Sequence, residues 1–342
     1  MIFNPAKMLF MSTLMLGILI SISSNSWLGI WMGLEINLLS FIPLMNDETN
    51  SYASEASLKY FLTQAMASAI LLFSIILFLT YNNLNFNLLN FSFMSNLMLI
   101  NTALLMKIGA APFHFWFPSV MSNLSWMNNW ILMTIQKITP FIILFYSFNY
   151  YMNFLSLILS LMFSSMGGLN QNSLRKIMAY SSINHMSWML ASMYFSKTLW
   201  LNYYIFYTML TTSIVMMFYM FNMFFLNQMY LYFNNNILLK FLNFTLLLSL
   251  GGLPPFIGFF PKWLIIQYMM FNQFYFTILI MVIFTLFTLY FYLQITYSAF
   301  LMDTWNFKWN FLNNKIKRFN YLYMILTFMS IFSLILISIF YN

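Results

Sequence analysis

The sequence lacks cysteine altogether and is poor in histidine and in charged residues. Only 5% of its 342 residues are charged, whereas a soluble globular domain has about 25%. Without cysteine, iron–sulfur clusters held by thiolates are excluded, and two histidines are too few for most zinc or haem sites. We therefore expect no metal, no cofactor and no redox centre on this chain.

Apolar sequence runs along the whole chain. Hydrophobic residues make up 62% of it and the mean hydropathy is +0.80. Apolar runs of about 20 residues recur, as membrane-spanning helices require, whereas a membrane barrel shows alternating segments of about 10 residues. The net charge of +8 is spread over loops and spans, so no nucleic-acid surface is predicted. The pattern predicts an all-α membrane protein with about 11 transmembrane helices, at 8–24, 26–45, 58–80, 94–122, 125–148, 151–169, 174–195, 199–226, 239–271, 274–302 and 320–341.

Basic residues divide unevenly between the two sides that these spans define. By the positive-inside rule, the N-terminus faces the matrix or cytoplasm and the C-terminus faces the opposite compartment. The stretch MIFNPAKMLF is interpreted as part of the first span, because no small-residue cleavage site follows it. The excess of Phe and Met is typical of AT-rich animal mitochondrial genes and favours the mitochondrial inner membrane. The side opposite to the positive one has only Lys197, and the positive side collects Lys7, Lys59, Arg175, Lys176, Lys240, Lys308, Lys315, Lys317 and Arg318.

Two segments share a pattern that interrupts a membrane helix, LLMKIGAAPFHFWFP at 104–118 and SLGGLPPFIGFFPKW at 249–263. Proline removes a backbone donor and clashes with the preceding turn, so breaks are expected near Pro112 and near Pro254 and Pro255. A matched pair of broken helices indicates an inverted-repeat transporter with an ion site near the midplane. We predict one polytopic domain over 1–342, with 26–148 and 151–302 as inverted repeats and 303–342 as a connecting loop and terminal helix.

Four ionisable residues lie deep in the predicted spans, namely Glu35, Lys107, Lys137 and Lys262. A central charge costs roughly 2.5 to 3.5 kcal/mol on insertion scales, and such residues usually mark ion paths. An apolar environment disfavours the charged form of an amine, so these lysines are expected to exchange protons near neutral pH, under the influence of Glu35. The alternatives are lysine stems that carry their amines to the membrane surface, and a structural ion pair for Glu35.

The two histidines are further candidates. His114 follows the first expected break, and His185 shares one helical face with Ser181, Trp188 and Ser192. Each histidine has a near-neutral reference pKa and is interpreted either as a proton relay or as a side chain satisfied by neighbouring hydroxyl or backbone groups.

Two other features have an equally plain structural explanation. Tyr60, Gln64 and Ser68 form a polar stripe, which predicts either the lining of a hydrated channel or hydrogen bonds between helices. Lys59 is placed at a helix start, where a stem that reaches the interface explains its charge.

Several strings of the sequence resemble one family closely. The strings are SNSWLGIWMGLEINLLSFIPL, EASLKYFLTQAMAS, LLMKIGAAPFHFWFP, QKITP, GGLNQNSLRKIMAYSSINHMSW and SLGGLPPFIGFFPKW. They are similar to NADH dehydrogenase subunit 2 of animal mitochondria, an antiporter-like (Mrp-type) family of membrane subunits of respiratory complex I, most like its insect members. The resemblance implies a proton-translocating subunit of NADH:ubiquinone oxidoreductase, in which a midplane chain of Glu35, Lys107, Lys137 and Lys262 couples quinone reduction to proton pumping.

The resemblance also implies the surroundings of the chain. FMN, iron–sulfur clusters and ubiquinone are expected on other subunits. The expected partners are other membrane-arm subunits, including a neighbouring antiporter-like subunit and small quinone-proximal subunits, and phospholipids such as cardiolipin near Lys315, Lys317 and Arg318. Against the family pattern of fourteen helices, we expect this sequence to lack the first three, and some relatives have glutamate where Lys262 stands.

Two other functions stay open from the residues alone. The chain is alternatively a stand-alone cation/proton antiporter, or a structural subunit without its own proton path. A single intramembrane acid offers few of the oxygen ligands that a sodium ion requires, which disfavours the antiporter.

Overall fold

The chain folds as a bundle of α-helices in our computed structural model, which describes residues 5–46, 50–83, 90–233 and 237–301. Within these ranges the helices are joined by turns, and the only β-structure is an isolated bridge between Ser173 and Phe225. A helix satisfies its own backbone groups, which an apolar sequence needs in lipid. The predicted all-α class is therefore confirmed for the part of the chain that the structure describes.

The fold divides into two compact units, one up to Ser160 and one from Leu161 onward. The first unit contains α1 (Pro5–Ser23), α2 (Trp27–Met45), α3 (Ser51–Asn83), α4 (Asn90–Ile108), α5 (Trp116–Asn123), α6 (Trp126–Met133), α7 (Ile135–Tyr146) and most of α8 (Tyr150–Gly168). The second contains the end of α8, α9 (Leu174–Met193), α10 (Lys197–Met220), α11 (Leu226–Phe233), α12 (Ile237–Gly251), α13 (Phe259–Phe271) and α14 (Tyr275–Leu301).

Helices occupy every predicted span before residue 302. The spans expected to be broken, 94–122 and 239–271, are the helix pairs α4/α5 and α12/α13. Among the described residues, α1, α2, α3, α8, α10 and α14 are long and apolar enough to cross a membrane. The last predicted span, the 303–342 segment and the basic residues Lys308, Lys315, Lys317 and Arg318 lie outside the described residues.

Helix α3 begins earlier than the sequence pattern predicted. It starts at Ser51 instead of near residue 58, so Lys59 lies in its third turn and the placement of Lys59 at a helix start was wrong. The Lys59 amine forms an exposed ion pair with Glu55, one turn away, at 2.5 Å. This pair explains the lysine without any contact with the interior.

The span predicted at 125–148 is interrupted at Thr134, where α6 ends and α7 begins. The Thr134 hydroxyl and backbone N–H both donate to the Trp130 carbonyl oxygen, at 2.7 and 3.0 Å. Back-bonding of this kind bends helices, and Pro140 removes a further donor from the next turn. The interruption places Lys137 in the first turn of α7.

Helices α1 and α2 approach each other closely at two glycines. A Cβ placed on Gly33 would lie 2.7 Å from both the backbone nitrogen and the Cβ of Ser21, and 2.9 Å from the Gly17 carbonyl oxygen. Only glycine fits at such a crossing. This close contact with α1 holds in place the helical turn of α2 that precedes Glu35.

Candidate functional site

The first broken helix turns at Gly109. Its φ of +80° lies in the left-handed region, which glycine adopts without the steric cost of a side chain. The Leu105 carbonyl oxygen then accepts hydrogen bonds from the N–H groups of Gly109 and Ala110, at 3.0 and 3.1 Å. These bonds close the end of α4 and confirm the break predicted near Pro112.

The carbonyls near this break are satisfied within the protein. The Trp116 indole N–H donates to the Met106 oxygen at 3.2 Å, and the Gln64 amide donates to the Lys107 oxygen at 3.4 Å. Non-helical backbone at membrane depth is tolerated only with such protein or water partners. Gln64, on the polar stripe of α3, thus contacts the helix end that carries Lys107.

The second break repeats the first. Helix α12 ends at Gly251, and Gly252 has a φ of +84°. The Leu248 carbonyl oxygen accepts from the N–H groups of Gly252 and Leu253, at 3.1 and 3.5 Å. The break predicted near Pro254 and Pro255 is therefore also confirmed.

The connection after α12 passes very close to the helix that it leaves. A Cβ placed on Gly258 would lie 1.8 Å from the Ser249 carbonyl oxygen. No side chain fits there, so the connection packs directly against the backbone of α12 at Gly258.

Lys107 and Lys137 line one small cavity. The side chains are 9% and 2% exposed, so both amines lie inside the protein, and the Lys137 Nζ lies 5.0 Å from the centre of the Phe117 ring. The cavity volume is about 20 Å³, enough for one water molecule. The other polar side chains that line it are Asn37, Tyr60, Gln64, Gln136 and Thr139.

Glu35 lies beside this cavity without lining it. Its neighbours on α2, Leu34 and Asn37, are lining residues, and its charge acts on the Lys107 amine. Within the described residues the two form no direct ion pair. Asn37 also accepts a hydrogen bond from the Gln136 amide at 3.0 Å, which joins α2 to α7 next to Lys137.

Lys262 lies in the second unit, in the first turn of α13, and is 5% exposed. Its amine donates to the Gly251 carbonyl oxygen at 2.7 Å and lies 5.9 Å from the centre of the Trp188 ring. The carbonyl end of a helix and the face of an indole ring both attract a cation. The amine is thus held at the broken end of α12.

His185 lies in the middle of α9 and is buried. Its Nδ1 and the Tyr203 hydroxyl are 2.8 Å apart, and its ring centre lies 5.2 Å from that of Tyr207. Helix α9 places Ser181, His185, Trp188 and Ser192 on one face, although nearly all of this helix is buried. His185 and Lys262 therefore both lie next to Trp188.

His114 is buried within the first break, where its ring centre lies 4.3 Å from that of Phe115. It forms a hydrogen bond with the backbone of Pro112, and its own carbonyl oxygen accepts from the Phe117 N–H at 3.0 Å. It does not belong to the lining of the cavity between Lys107 and Lys137.

Three polar contacts of the site were missed by the sequence reasoning. Thr139 follows Lys137 by two positions, Gln136 precedes it directly, and Tyr203 is the partner of His185. A polar residue next to a buried lysine is a usable signal for the first two. Nothing in the sequence pairs Tyr203 with a histidine on another helix.

Comparison with known proteins gives one consistent family. The model of the family described as "NADH:quinone oxidoreductase/Mrp antiporter, TM" matches residues 24–288. The chain is 52% identical over 334 residues to NADH-ubiquinone oxidoreductase chain 2 of Anopheles gambiae, covering 97% of each chain. It is 46% identical over 303 residues to the protein of the same name in Locusta migratoria, covering 87% of this chain and 86% of the relative.

Solved structures support the same fold. A chain of respiratory complex I from Thermus thermophilus matches with a TM-score of 0.78 at 24% identity, over 86% of this chain and 70% of that one. A chain of the Mrp complex from Dietzia matches with a TM-score of 0.69 at 15% identity, over 83% of this chain and 58% of that one.

Proposed function

The chain belongs to the NADH:quinone oxidoreductase/Mrp antiporter family, and we propose that it is a proton-translocating subunit of the membrane arm of an NADH:ubiquinone oxidoreductase. Relatives that it matches over nearly their whole length carry the name of that enzyme. The chain itself contributes proton transfer, and the oxidation of NADH and reduction of quinone take place on other subunits.

The cavity shared by Lys107 and Lys137 carries this proposal. Two buried amines that face one water-sized space have a route for a proton between them, because water donates and accepts hydrogen bonds in turn. The five polar side chains of the lining supply partners for that water. Lysine suits this role better than arginine, because an amine can release its proton whereas a guanidinium stays charged.

The order of transfer follows from the charges. A change in the charge state of Glu35 alters the proton affinity of Lys107, the next step passes through the cavity to Lys137, and Lys262 in the second unit is the last carrier. The electrostatic influence of Glu35 on the Lys107 amine supports the first step. His114 and His185 are proposed as relays, since each buried ring has a hydrogen-bond partner, the Pro112 backbone for His114 and the Tyr203 hydroxyl for His185.

We place the chain in the mitochondrial inner membrane with the N-terminus in the matrix and the C-terminus in the intermembrane space. About eleven spans, with 26–148 and 151–302 as inverted repeats, fit the two matching breaks. The partners are other membrane-arm subunits of complex I, including a neighbouring antiporter-like subunit and small quinone-proximal subunits, with phospholipids such as cardiolipin. FMN, iron–sulfur clusters and the ubiquinone site belong to those other subunits.

The test removes one amine at a time from the assembled complex. Lys107→Ala, Lys137→Ala and Lys262→Ala should each lower the number of protons moved per electron in reconstituted vesicles. Lys59→Ala is the matched control, since its amine is exposed and paired with Glu55. Unchanged proton-to-electron ratios in a triple variant would instead indicate a structural subunit, and cation transport by the isolated chain in liposomes would indicate an antiporter.

A further inference from the structure

The hydrogen bond between His185 and Tyr203 connects two buried side chains on different helices. Tyr203 is 2% exposed and His185 is 5% exposed, and the phenol oxygen lies 2.8 Å from the Nδ1 atom of the ring. A hydrogen bond within a low-dielectric interior is stronger than one in water. This contact therefore constrains the imidazole more firmly than a solvated one would.

The hydrogen bond has two possible arrangements in the neutral pair, and both use Nδ1. A neutral imidazole has one acceptor nitrogen and one N–H, and a neutral phenol both donates and accepts. With the Tyr203 hydroxyl donating to Nδ1, the ring carries its own hydrogen on Nε2; with Nδ1–H donating to the phenol oxygen, Nε2 is the acceptor. When the ring takes up a proton, the Nδ1–H donates to the phenol oxygen, so Tyr203 stays the partner of Nδ1 in both states.

A second tyrosine fixes the plane of the ring. Tyr207 lies one turn after Tyr203 on α10, and its ring centre is 5.2 Å from that of His185, with an angle of 46° between the planes. The hydrogen bond at Nδ1 and the ring contact together restrict the two side-chain torsions of the histidine. Orientation is what a proton relay requires, since transfer needs hydrogen-bond geometry at a particular nitrogen.

Trp188 links the helix of the constrained ring to a carrier of the proposed path. Trp188 lies one turn after His185 on α9, and the centre of the Trp188 ring lies 5.9 Å from the Nζ atom of Lys262. Among the described residues, Tyr203 and Tyr207 from α10 contact the His185 ring, and Lys262 from α13 lies beyond Trp188. Tyr204 from α10 and Tyr292 from α14 act electrostatically on Tyr207.

We infer that Tyr203 is a positioning residue for His185. Tyr203 holds the imidazole in one orientation and makes Nε2 the nitrogen that exchanges protons on the Lys262 side of the path. The inference rests on the proposed function, because it gives the relay role of His185 a geometric basis. Tyr203 acts through the histidine and carries no proton across the membrane itself.

The experiment compares Tyr203→Phe with Tyr230→Phe in the assembled complex. Both changes remove one phenol hydroxyl that forms a hydrogen bond between helices, but the Tyr230 hydroxyl bonds to Ser298 on α14, at 2.6 Å. Tyr203→Phe should slow proton pumping about two- to tenfold, the effect of one net hydrogen bond, and should displace the pH profile of pumping. Tyr230→Phe should leave both unchanged.

A double variant separates positioning from general packing. In a His185→Ala background, Tyr203→Phe should produce no further loss, because the group on which it acts is gone. Independent, additive losses, or a Tyr203→Phe enzyme with the wild-type pH profile, would overturn the inference. Loss of pumping in the three lysine variants with none in Tyr203→Phe would refute this inference alone, whereas wild-type pumping in the lysine variants would refute the proposed function.

Discussion

The Lys262 amine donates a 2.7 Å hydrogen bond to the carbonyl oxygen of Gly251, the last residue of α12. The next residue, Gly252, leaves the space that the amine needs. A Cβ on Gly252 would lie 2.8 Å from the Nζ atom and 3.0 Å from the Cδ atom of the lysine. The break in α12 therefore determines where the Lys262 amine lies.

Gly252→Ala should displace the Lys262 side chain and lower the pumping rate. The substitution places a side chain at a φ of +84°, which costs roughly 1–2 kcal/mol, and the new methyl occupies the site of the amine. Gly251→Ala is the matched control, because its Cβ would meet Tyr292 at an ordinary 3.4 Å. Equal pumping by the two variants in reconstituted vesicles would contradict the proposed position of the amine.

Thr139→Val should slow pumping without destabilising the fold. Among the described residues, the Thr139 hydroxyl has no hydrogen-bond partner although it is 1% exposed and lines the cavity between Lys107 and Lys137. Valine has the same shape, and replacing an unsatisfied buried hydroxyl by a methyl is nearly neutral or stabilising. The yield of assembled complex measures the effect on the fold, and the proton-to-electron ratio measures the effect on pumping. A normal ratio would show that Thr139 is not part of the proton path.

Lys59→Ala should leave both pumping and assembly essentially unchanged. An exposed ion pair of the i,i+4 type contributes about 0.3–0.5 kcal/mol, and the Lys59 side chain is 46% exposed. The contrast with Lys107→Ala tests whether burial, and not positive charge as such, decides which lysines are needed for pumping. A pumping defect in Lys59→Ala comparable to that of Lys107→Ala would count against the interior path.

Gly33→Ala should separate α1 from α2 and lower the yield of assembled complex. The added Cβ would lie 2.7 Å from a backbone atom of Ser21, and overpacking of this kind typically costs 1–3 kcal/mol. Met32→Ala is the control, since Met32 is 57% exposed on the outer face of the same helix. We expect the thermal stability of the purified complex to fall for Gly33→Ala and to stay unchanged for Met32→Ala.

Much of this architecture was predictable because lipid imposes strict rules on sequence. Runs of apolar residues gave the helices, and glycine with proline gave the breaks at Gly109 and Gly252. The interruption at Thr134 was missed because no glycine or proline stands there and the threonine acts through its own hydroxyl. The early start of α3 was missed because Ser51 and its neighbours are polar, so the apolar run that marks a span begins a full two turns after the helix does.

The residues of the candidate site also differ in how far the sequence predicts them. The buried lysines and Glu35 were found because charge in an apolar run is conspicuous in any sequence. The contacts of Tyr203, Asn37 and Gln136 depend on which helices pack together, and the spacing along one helix does not contain that information. Whether the lysines carry protons stays a prediction.

The tight packing of Gly258 against the Ser249 carbonyl has a mechanical consequence. Because the Gly258 backbone touches α12 and the Lys262 amine is hydrogen-bonded to the last carbonyl of that helix, we expect the end of α12, this part of the connection and the amine to move together. A tilt of α12 would then also displace the amine and so change the local electric potential at its site.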